Sequence, residues 1–476
     1  MLLASFIAFL LMFACIGLAS ARVSKGSVGD YYLASRSVKA WLVGLSAVAT
    51  NNSGYMFIGV IGYTYVEGLA SVWLMTGWLV GDFVGSTFAH NRLRGAAKAN
   101  GDVSYISVLN NWNGQGAPYL QRLMGLLALT FLLAYASAQL VAGSKALFVL
   151  LDWPTYLGAT VGAVIIMGYC LAGGIRASIW TDAAQSFVMI LAMSILLVVA
   201  VASVGGVGDA IAKMDAIPYY LSVMPQDLAV PGWGGLGLFV LGWFVAGLSV
   251  IGQPHIMVRF MALEDTRRYN VARCWYYSWF TIFYCMATAV GMLARILLPD
   301  VDAFDAELAL PTLALKMLPT VLVGLILAGI FAATMSTADS LVLSCSSTLS
   351  HDIFPASDKF TPKQKLIIAK LATVTIAVAA LVWALTNKQS VFGLVLMAWS
   401  TLGSAFAPLL IVLAFGAKPL ASTRAAMIAS GVAACLLWRY FGLQGAIFEG
   451  VAGISAALII FLVHTYIIRR AAAKAA

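Results

Sequence analysis

Three carboxylates, Asp82, Asp182 and Asp339, stand inside long apolar runs. An ionisable side chain at membrane depth is expensive and is usually retained for what it binds or moves. The chemistry open to such acids is cation binding or proton carriage, because a carboxyl in low dielectric needs a positive partner or a proton. Asp339 lies in Ala332-Ala-Thr-Met-Ser-Thr-Ala-Asp-Ser. Read as a helix, this stretch puts Ser336, Asp339 and Ser340 at i, i+3 and i+4, on one face, as hard oxygen ligands suited to a small cation. A lone Ser or Thr there would mean little, since it commonly bonds the carbonyl one turn back; the density of the cluster is what points to an ion. Two polar interruptions accompany it. Thr50, Asn51, Asn52, Ser53 and Gly54 break the apolar segment 46–56, and Gly252 and Pro254 can break the helical ladder in 247–254. Irregular backbone at that depth survives only where protein or a water-filled cavity satisfies it. A cation is one way to occupy the carbonyls so freed.

The elements that position these residues are transmembrane helices. Only 10% of the 476 residues are charged and 62% are hydrophobic, against about a quarter charged in a soluble domain. Apolar runs of about 20 residues, the length that crosses a bilayer core, recur near 2–21, 40–65, 68–90, 121–150, 153–174, 178–205, 233–258, 274–298, 319–349, 366–386, 390–415, 419–440 and 449–468. The sequence therefore predicts an all-α integral membrane protein of about 13 spans. The first run lacks the basic start of a signal peptide and is read as a span. With the N-terminus outside, most Lys and Arg fall on the cytoplasmic side, among them Arg92, Arg94, Arg176, Arg259, Arg267, Arg268, Arg273 and Arg424. Lys213, Arg295, Lys316, Lys388 and Arg439 remain outside, where the loops 206–232 and 299–318 carry Asp209, Asp215, Asp227, Asp300, Asp302, Asp305 and Glu307. The odd span number puts the C-terminus inside, so the reading is a multi-pass membrane protein with its N-terminus outside and its C-terminus in the cytoplasm. Topology accounts for the net charge of +9, and no nucleic-acid partner is implied. The six Cys and four His are scattered without metal-ligand spacing, and no phosphate-binding GxxxxGK[ST] loop occurs. With no nucleophile paired to a base, the chain is read as a carrier and not an enzyme.

The two interruptions fall in the second and seventh spans. Discontinuous helices at corresponding positions of two five-helix halves are the sequence mark of an inverted-repeat transporter with its site at the breaks. Here the sequence resembles the sodium:solute symporter family, and within it the bacterial sodium/proline branch. The resemblance rests on Asp30-Tyr-Tyr-Leu-Ala-Ser-Arg-Ser, Arg92-Leu-Arg, Ser178-Ile-Trp-Thr-Asp-Ala-Ala-Gln, Gly252-Gln-Pro-His-Ile followed by Arg259-Phe-Met, Met335-Ser-Thr, and Ala398-Trp-Ser-Thr-Leu-Gly. It implies the leucine-transporter fold, a 5+5 inverted repeat with one leading and two trailing helices. The segments would be 1–38 (leading helix and cytoplasmic loop), 39–206 (first repeat), 207–232 (external loop), 233–415 (second repeat) and 416–476 (trailing helices).

The resemblance also implies the ligands and the function. A sodium ion would be held by the carbonyls of Ala49, Asn52 and Ala333 and the hydroxyls of Ser336 and Thr337. A second cation, sodium or a proton, would lie among Asp182, Asp339 and Ser340, as in relatives that bind two. Asn51, Ser53, Gly54, Tyr55, Tyr135, Trp243, Ala246, Val250 and Gln253 would line the solute pocket. This chain departs from the proline branch at Asn51, where that branch has an acid, and at Ala246 and Val250, where it has Trp and Tyr; the two lost aromatics imply a differently shaped pocket, with space opened if nothing else fills it. The implied activity is sodium-coupled import of proline or another small amino acid by alternating access. The partners are the solute, sodium and membrane lipid, with no obligate protein partner evident. The alternatives are a monocarboxylate or other organic solute, or a transporter-like sensor acting through a separate partner.

Overall fold

The computed structural model describes residues 1–475 apart from 115, 227, 299–303, 358 and 387–390. Asp227, Asp300, Asp302 and Lys388, used above to orient the chain, lie outside the described residues. The helices in chain order are α1 (Leu2–Ser20), α2 (Val28–Leu33), α3 (Ala40–Asn51), α4 (Ile61–Glu67), α5 (Val72–Phe88), α6 (His90–Asn100), α7 (Tyr105–Asn111), α8 (Pro118–Leu151), α9 (Thr155–Ser203), α10 (Val207–Asp215), α11 (Gly232–Leu248), α12 (Pro254–Met261), α13 (Tyr269–Leu297), α14 (Ala309–Met317), α15 (Thr320–Ser347), α16 (Pro362–Thr386), α17 (Val391–Ala414), α18 (Ala421–Tyr440) and α19 (Glu449–Ala475).

Eleven stretches among the described residues are long and apolar enough to cross a membrane. One of them is far too long for one crossing. Thr155–Ser203 has 49 residues, roughly 70 Å at 1.5 Å per residue, against a hydrocarbon core of about 30 Å. Gly174, at φ 57° and ψ −141°, breaks it. Tyr169 before the break and Ser178 after it both hydrogen bond Asp339. Met56–Phe88 is divided in the same way at Gly68, with φ 66° and ψ −140°. A Cβ at either glycine would clash with a carbonyl oxygen, that of Tyr31 or Tyr220, so both turns need the bare backbone as well as its left-handed φ. Splitting Thr155–Ser203 at Gly174 adds one crossing to the eleven, and Met56–Glu67, cut from α5 at Gly68, completes another only together with α3.

The break read in 46–56 is present: α3 stops at Asn51 and helix resumes through a π-helical turn at Met56–Val60. Two sequence expectations are corrected by the backbone. The runs 153–174 and 178–205 are joined at Gly174 with no loop between them. The stretches read as the outer loops 206–232 and 299–318 contain the short helices α10 and α14.

α15 sits at the centre. Every residue from Val323 to Ser347 is buried, as expected of a helix surrounded by other helices. α3 is buried continuously from Val43 to Asn51. The periphery carries the lipid-facing side chains, such as Leu3, Ile7 and Leu11 of α1 and Leu371, Val378 and Val382 of α16. α5 and α11 approach through glycines: a Cβ on Gly81 would lie 1.9 Å from the Phe244 carbonyl oxygen, and one on Gly247 1.9 Å from that of Trp78. Small residues are the usual device for such close contact between membrane helices. Several charges that a residue count assigns to loops are buried, including Arg94, Arg176, Arg259, Arg424, Asp30, Asp102, Asp352 and Glu449. Position in the chain does not fix their solvation.

Candidate functional site

The end of α3 is opened by its own side chains. Asn52 leaves the helix at φ −86° and ψ 34°, and its Nδ2 donates to the Val48 carbonyl at 2.9 Å. The Gly54 N–H, lost to the helical ladder, donates instead to Gln139 Oε1 of α8 at 3.0 Å. The second break runs from α11 through a 3₁₀ turn at Ser249–Gly252 to α12, which starts at Pro254. Gln253 Nε2 bridges it, donating to the carbonyls of Ser249 at 3.2 Å and Trp399 at 2.9 Å.

Oxygen ligands meet where the broken α3 touches α15. Ser336 Oγ donates to the carbonyls of Ala49 at 3.1 Å and Ala333 at 3.2 Å. Thr337 Oγ1 donates to those of Thr50 at 2.9 Å and Ala333 at 3.2 Å. Four of the five predicted sodium ligands are thus assembled in one buried cluster, and the Thr50 carbonyl joins them. Asn52, the fifth, caps the same helix end, with Oδ1 buried and lacking a hydrogen-bond partner. Neutral carbonyl and hydroxyl oxygens can take a small monovalent cation when the hydroxyl protons rotate away.

The acids lie one step further along α15. Arg259 of α12 is completely buried. Its Nη2 stands 3.4 Å from Asp182 Oδ2 and 3.7 Å from Asp339 Oδ1. It also donates to Ser178 Oγ at 2.6 Å and to Ser340 Oγ. Ser46 of α3 donates to Asp182 Oδ2 at 2.6 Å, and Tyr169 donates to Asp339 Oδ2 at 2.8 Å. Arg259 is therefore no cytoplasmic loop charge. It supplies, as a side chain, positive charge that the sequence reading sought entirely in a bound cation. Two carboxylates still outnumber one guanidinium, and Asp182 Oδ1 is buried without a hydrogen-bond partner.

Polar atoms lacking hydrogen-bond partners gather on the residues of the two breaks and their neighbours: Asn51 Oδ1, Gln139 Nε2, Gln253 Oε1, Trp78 Nε1 and both His255 ring nitrogens. Unsatisfied buried groups are rare in a settled core, and these leave donors and acceptors available at the breaks. Ser53, Gly54, Tyr55, Tyr135 and Gln253 are all buried at or beside the breaks, and the Tyr135 ring meets that of His255 edge-on at 5.4 Å. At Gly54 a Cβ would stand 2.7 Å from Thr334 Cγ2. Ala246 and Val250 leave no opened space: both are completely buried, and the Trp399 indole donates to the Ala246 carbonyl at 2.9 Å. The Trp399 ring in turn lies 5.0 Å from that of Trp78. Trp243 stands farther out on α11. It stacks on Trp78 at 6.0 Å and on Phe448 at 6.4 Å, and Trp78 stacks in turn on Tyr55 at 6.0 Å. Asn51 is engaged sideways, donating from Nδ2 to Tyr276 Oη at 2.6 Å.

Sequence reasoning did not single out Gln139, His255, Trp78, Trp399, Tyr276 or Arg259 as site residues. Gln139 carried a usable signal, an amide inside an apolar run; His255 and Trp399 were quoted only as parts of a motif, and Arg259 as part of a motif and as a cytoplasmic charge. Trp78 and Tyr276 carried none, because Trp and Tyr are common in any membrane helix.

A family model described as the sodium:solute symporter family matches residues 31–430. The chain is 28% identical over 435 residues to the high-affinity proline transporter PutP of Bacillus subtilis (strain 168), covering 90% of each chain. It is 27% identical over 467 residues to the sodium/proline symporter of Escherichia coli (strain K12), covering 95% of this chain and 90% of that one. Among solved structures, a Na+-coupled sialic acid symporter in a substrate-bound outward-open state superposes with a TM-score of 0.81 at 18% identity, covering 96% of both chains. The nucleobase-cation-symport-1 family transporter Mhp1 in a closed conformation gives 0.54 at 14% identity, covering 93% of this chain and 95% of that one. The architecture is the leucine-transporter fold.

Proposed function

The chain belongs to the sodium:solute symporter family, and we propose that the solute it carries with sodium is proline or another small amino acid. The observation that carries this reading is the pairing of the Ser336 and Thr337 hydroxyls with the carbonyls of Ala49 and Thr50 at the end of α3. An ion bound there ties α15 to the broken helix that also bears Asn51, Ser53 and Gly54, so ion and solute binding favour the same helix arrangement. The names of the proline-transporting relatives support proline. The donors and acceptors left over at the breaks support a zwitterion.

The same reading places the protein in the bacterial inner membrane with the N-terminus outside and the C-terminus in the cytoplasm. It assigns 1–38 to the leading helix and loop, 39–206 and 233–415 to the two repeats, 207–232 to an external loop, and 416–476 to the trailing helices. A further cation, sodium or a proton, is proposed at Asp182, Asp339 and Ser340 beside Arg259, with the unpartnered Asp182 Oδ1 as its principal ligand.

Uptake of radiolabelled proline into proteoliposomes tests the reading. Accumulation driven by an inward sodium gradient, absent when potassium replaces sodium, is expected. A protein that accumulates a monocarboxylate and no amino acid under the same gradient would establish the alternative.

A further inference from the structure

Asp82 is the one acid singled out in the sequence that the ion sites do not use. It lies on α5, completely buried, and its two oxygens accept from two tyrosines of α13: Tyr276 Oη at 2.6 Å and Tyr277 Oη at 3.2 Å. A phenol has one proton to give. With that proton committed to Asp82, Tyr276 Oη can only accept from its other neighbour, which is Asn51 Nδ2 at 2.6 Å. The amide of Asn51 is thereby fixed in orientation. Its Nδ2 faces Tyr276, so its Oδ1 faces away, buried and without a hydrogen-bond partner, at the last residue of α3 before the break.

An acid at this position, as in the proline branch, is an acceptor whichever way it turns. An asparagine is an acceptor only if something holds its amide the right way round. We propose that Asp82, acting through Tyr276, is a positioning residue that fixes Asn51 so that Asn51 Oδ1 receives an N–H of the ammonium group of a zwitterionic solute. This rests on the reading of the solute as an amino acid and narrows it. The site then selects for an N–H donor beside the carboxylate and rejects analogues that lack one, because a buried acceptor left unpaired is costly.

The test is competition against sodium-driven proline uptake in proteoliposomes, comparing unlabelled proline with tetrahydrofuran-2-carboxylate, in which a ring oxygen replaces the ammonium nitrogen. The wild type is expected to prefer proline by about a hundredfold or more. Tyr276→Phe and Asp82→Asn free the amide to turn its Nδ2 toward the ring oxygen, so the preference is expected to fall about tenfold, through the KM for proline more than through the maximal rate. Asn51→Leu removes the acceptor outright and should abolish most of the preference. The double variant Asp82→Asn/Asn51→Asp returns the carboxylate to the helix break and should restore it, which a merely structural role for Asp82 would not predict. If proline is accumulated and Asn51→Leu keeps the wild-type preference, or if folded Tyr276→Phe and Asp82→Asn proteins both keep it, the inference is overturned and the amino-acid reading stands. If the wild type accumulates no amino acid under a sodium gradient, both fall.

Discussion

The Thr50 hydroxyl lies 3.1 Å from that of Ser340, a contact from α3 that helps join the carbonyl and hydroxyl cluster at the end of that helix to the buried charges around Arg259. Ser340 donates to the Ser336 carbonyl at 2.5 Å and receives the Arg259 guanidinium. An ion drawn to Ser336 and Thr337 therefore acts on a hydrogen-bond chain reaching α12 and α9. Thr50→Val keeps the Thr50 carbonyl and the side-chain shape but removes the Thr50–Ser340 contact, leaving the Ser340–Ser336 one in place. It is expected to raise the sodium concentration for half-maximal uptake about two- to fivefold, the value of one buried hydrogen bond. A sodium titration of proteoliposome uptake that coincides with the wild-type curve would show that the Thr50 hydroxyl does not couple the two clusters.

Ser336 and Thr337 should have larger effects, because they are the side-chain ligands of the proposed site. Ser336→Ala and Thr337→Ala are each expected to raise the half-saturating sodium concentration at least about tenfold, as when a buried polar group loses its partner. Solute affinity at saturating sodium should move much less. Unaltered sodium dependence in both variants would take the ion away from this position.

How far the sequence carried can be judged from these same residues. The breaks at Asn51 and Gly252, and the face bearing Ser336, Asp339 and Ser340, were legible because polar groups stand out within apolar runs and helical spacing fixes which of them share a face. The bends at Gly68 and Gly174 were legible only as span boundaries, since a glycine in a membrane helix serves close packing as often as a turn. Arg259 was misread. Its motif gave its chain position, but its position between Asp182 and Asp339 depends on how α12 packs against α9 and α15, and no local pattern encodes that. The complete burial of Ala246 and Val250, with the Trp399 indole on the Ala246 carbonyl, is likewise a matter of tertiary packing, hidden from a reading that compared these positions only with their counterparts.

Removing the Arg259 charge is the sharpest test of that packing. Arg259→Gln leaves Asp182 and Asp339 facing each other without their guanidinium, and breaking a buried ion cluster from one side costs about 3–5 kcal/mol. The variant is expected to unfold at a clearly lower temperature in detergent. Adding Asp182→Asn should recover part of the loss by removing one of the uncompensated charges. A wild-type melting temperature for Arg259→Gln would mean that the acids are neutralised by other means.

Asp30 gives a prediction with a definite pH sign. It is 2% exposed and ties the short helix α2 to α9 just beyond the Gly174 turn. The Lys25 N–H, the Ser35 hydroxyl and Arg176 Nη2 each donate to it at 2.7 Å. Burial pushes its carboxyl up, but those three hydrogen bonds and the Arg176 charge more than offset this, holding it below the usual carboxylate range. A carboxyl that is more acidic in the folded than in the unfolded protein stabilises the fold at every pH above the unfolded value of about 3.9. That contribution is lost as the pH falls through the folded value. Asp30→Asn should therefore destabilise the protein at pH 7, by about 2–3 kcal/mol for a buried pair in which Arg176 keeps some contact with water. The gap between variant and wild type should narrow as the pH is lowered below about 4. Thermal unfolding in detergent between neutral and acidic pH measures both effects, and a gap that stays constant or widens on acidification would show that the Asp30 carboxylate does not hold α2 against α9.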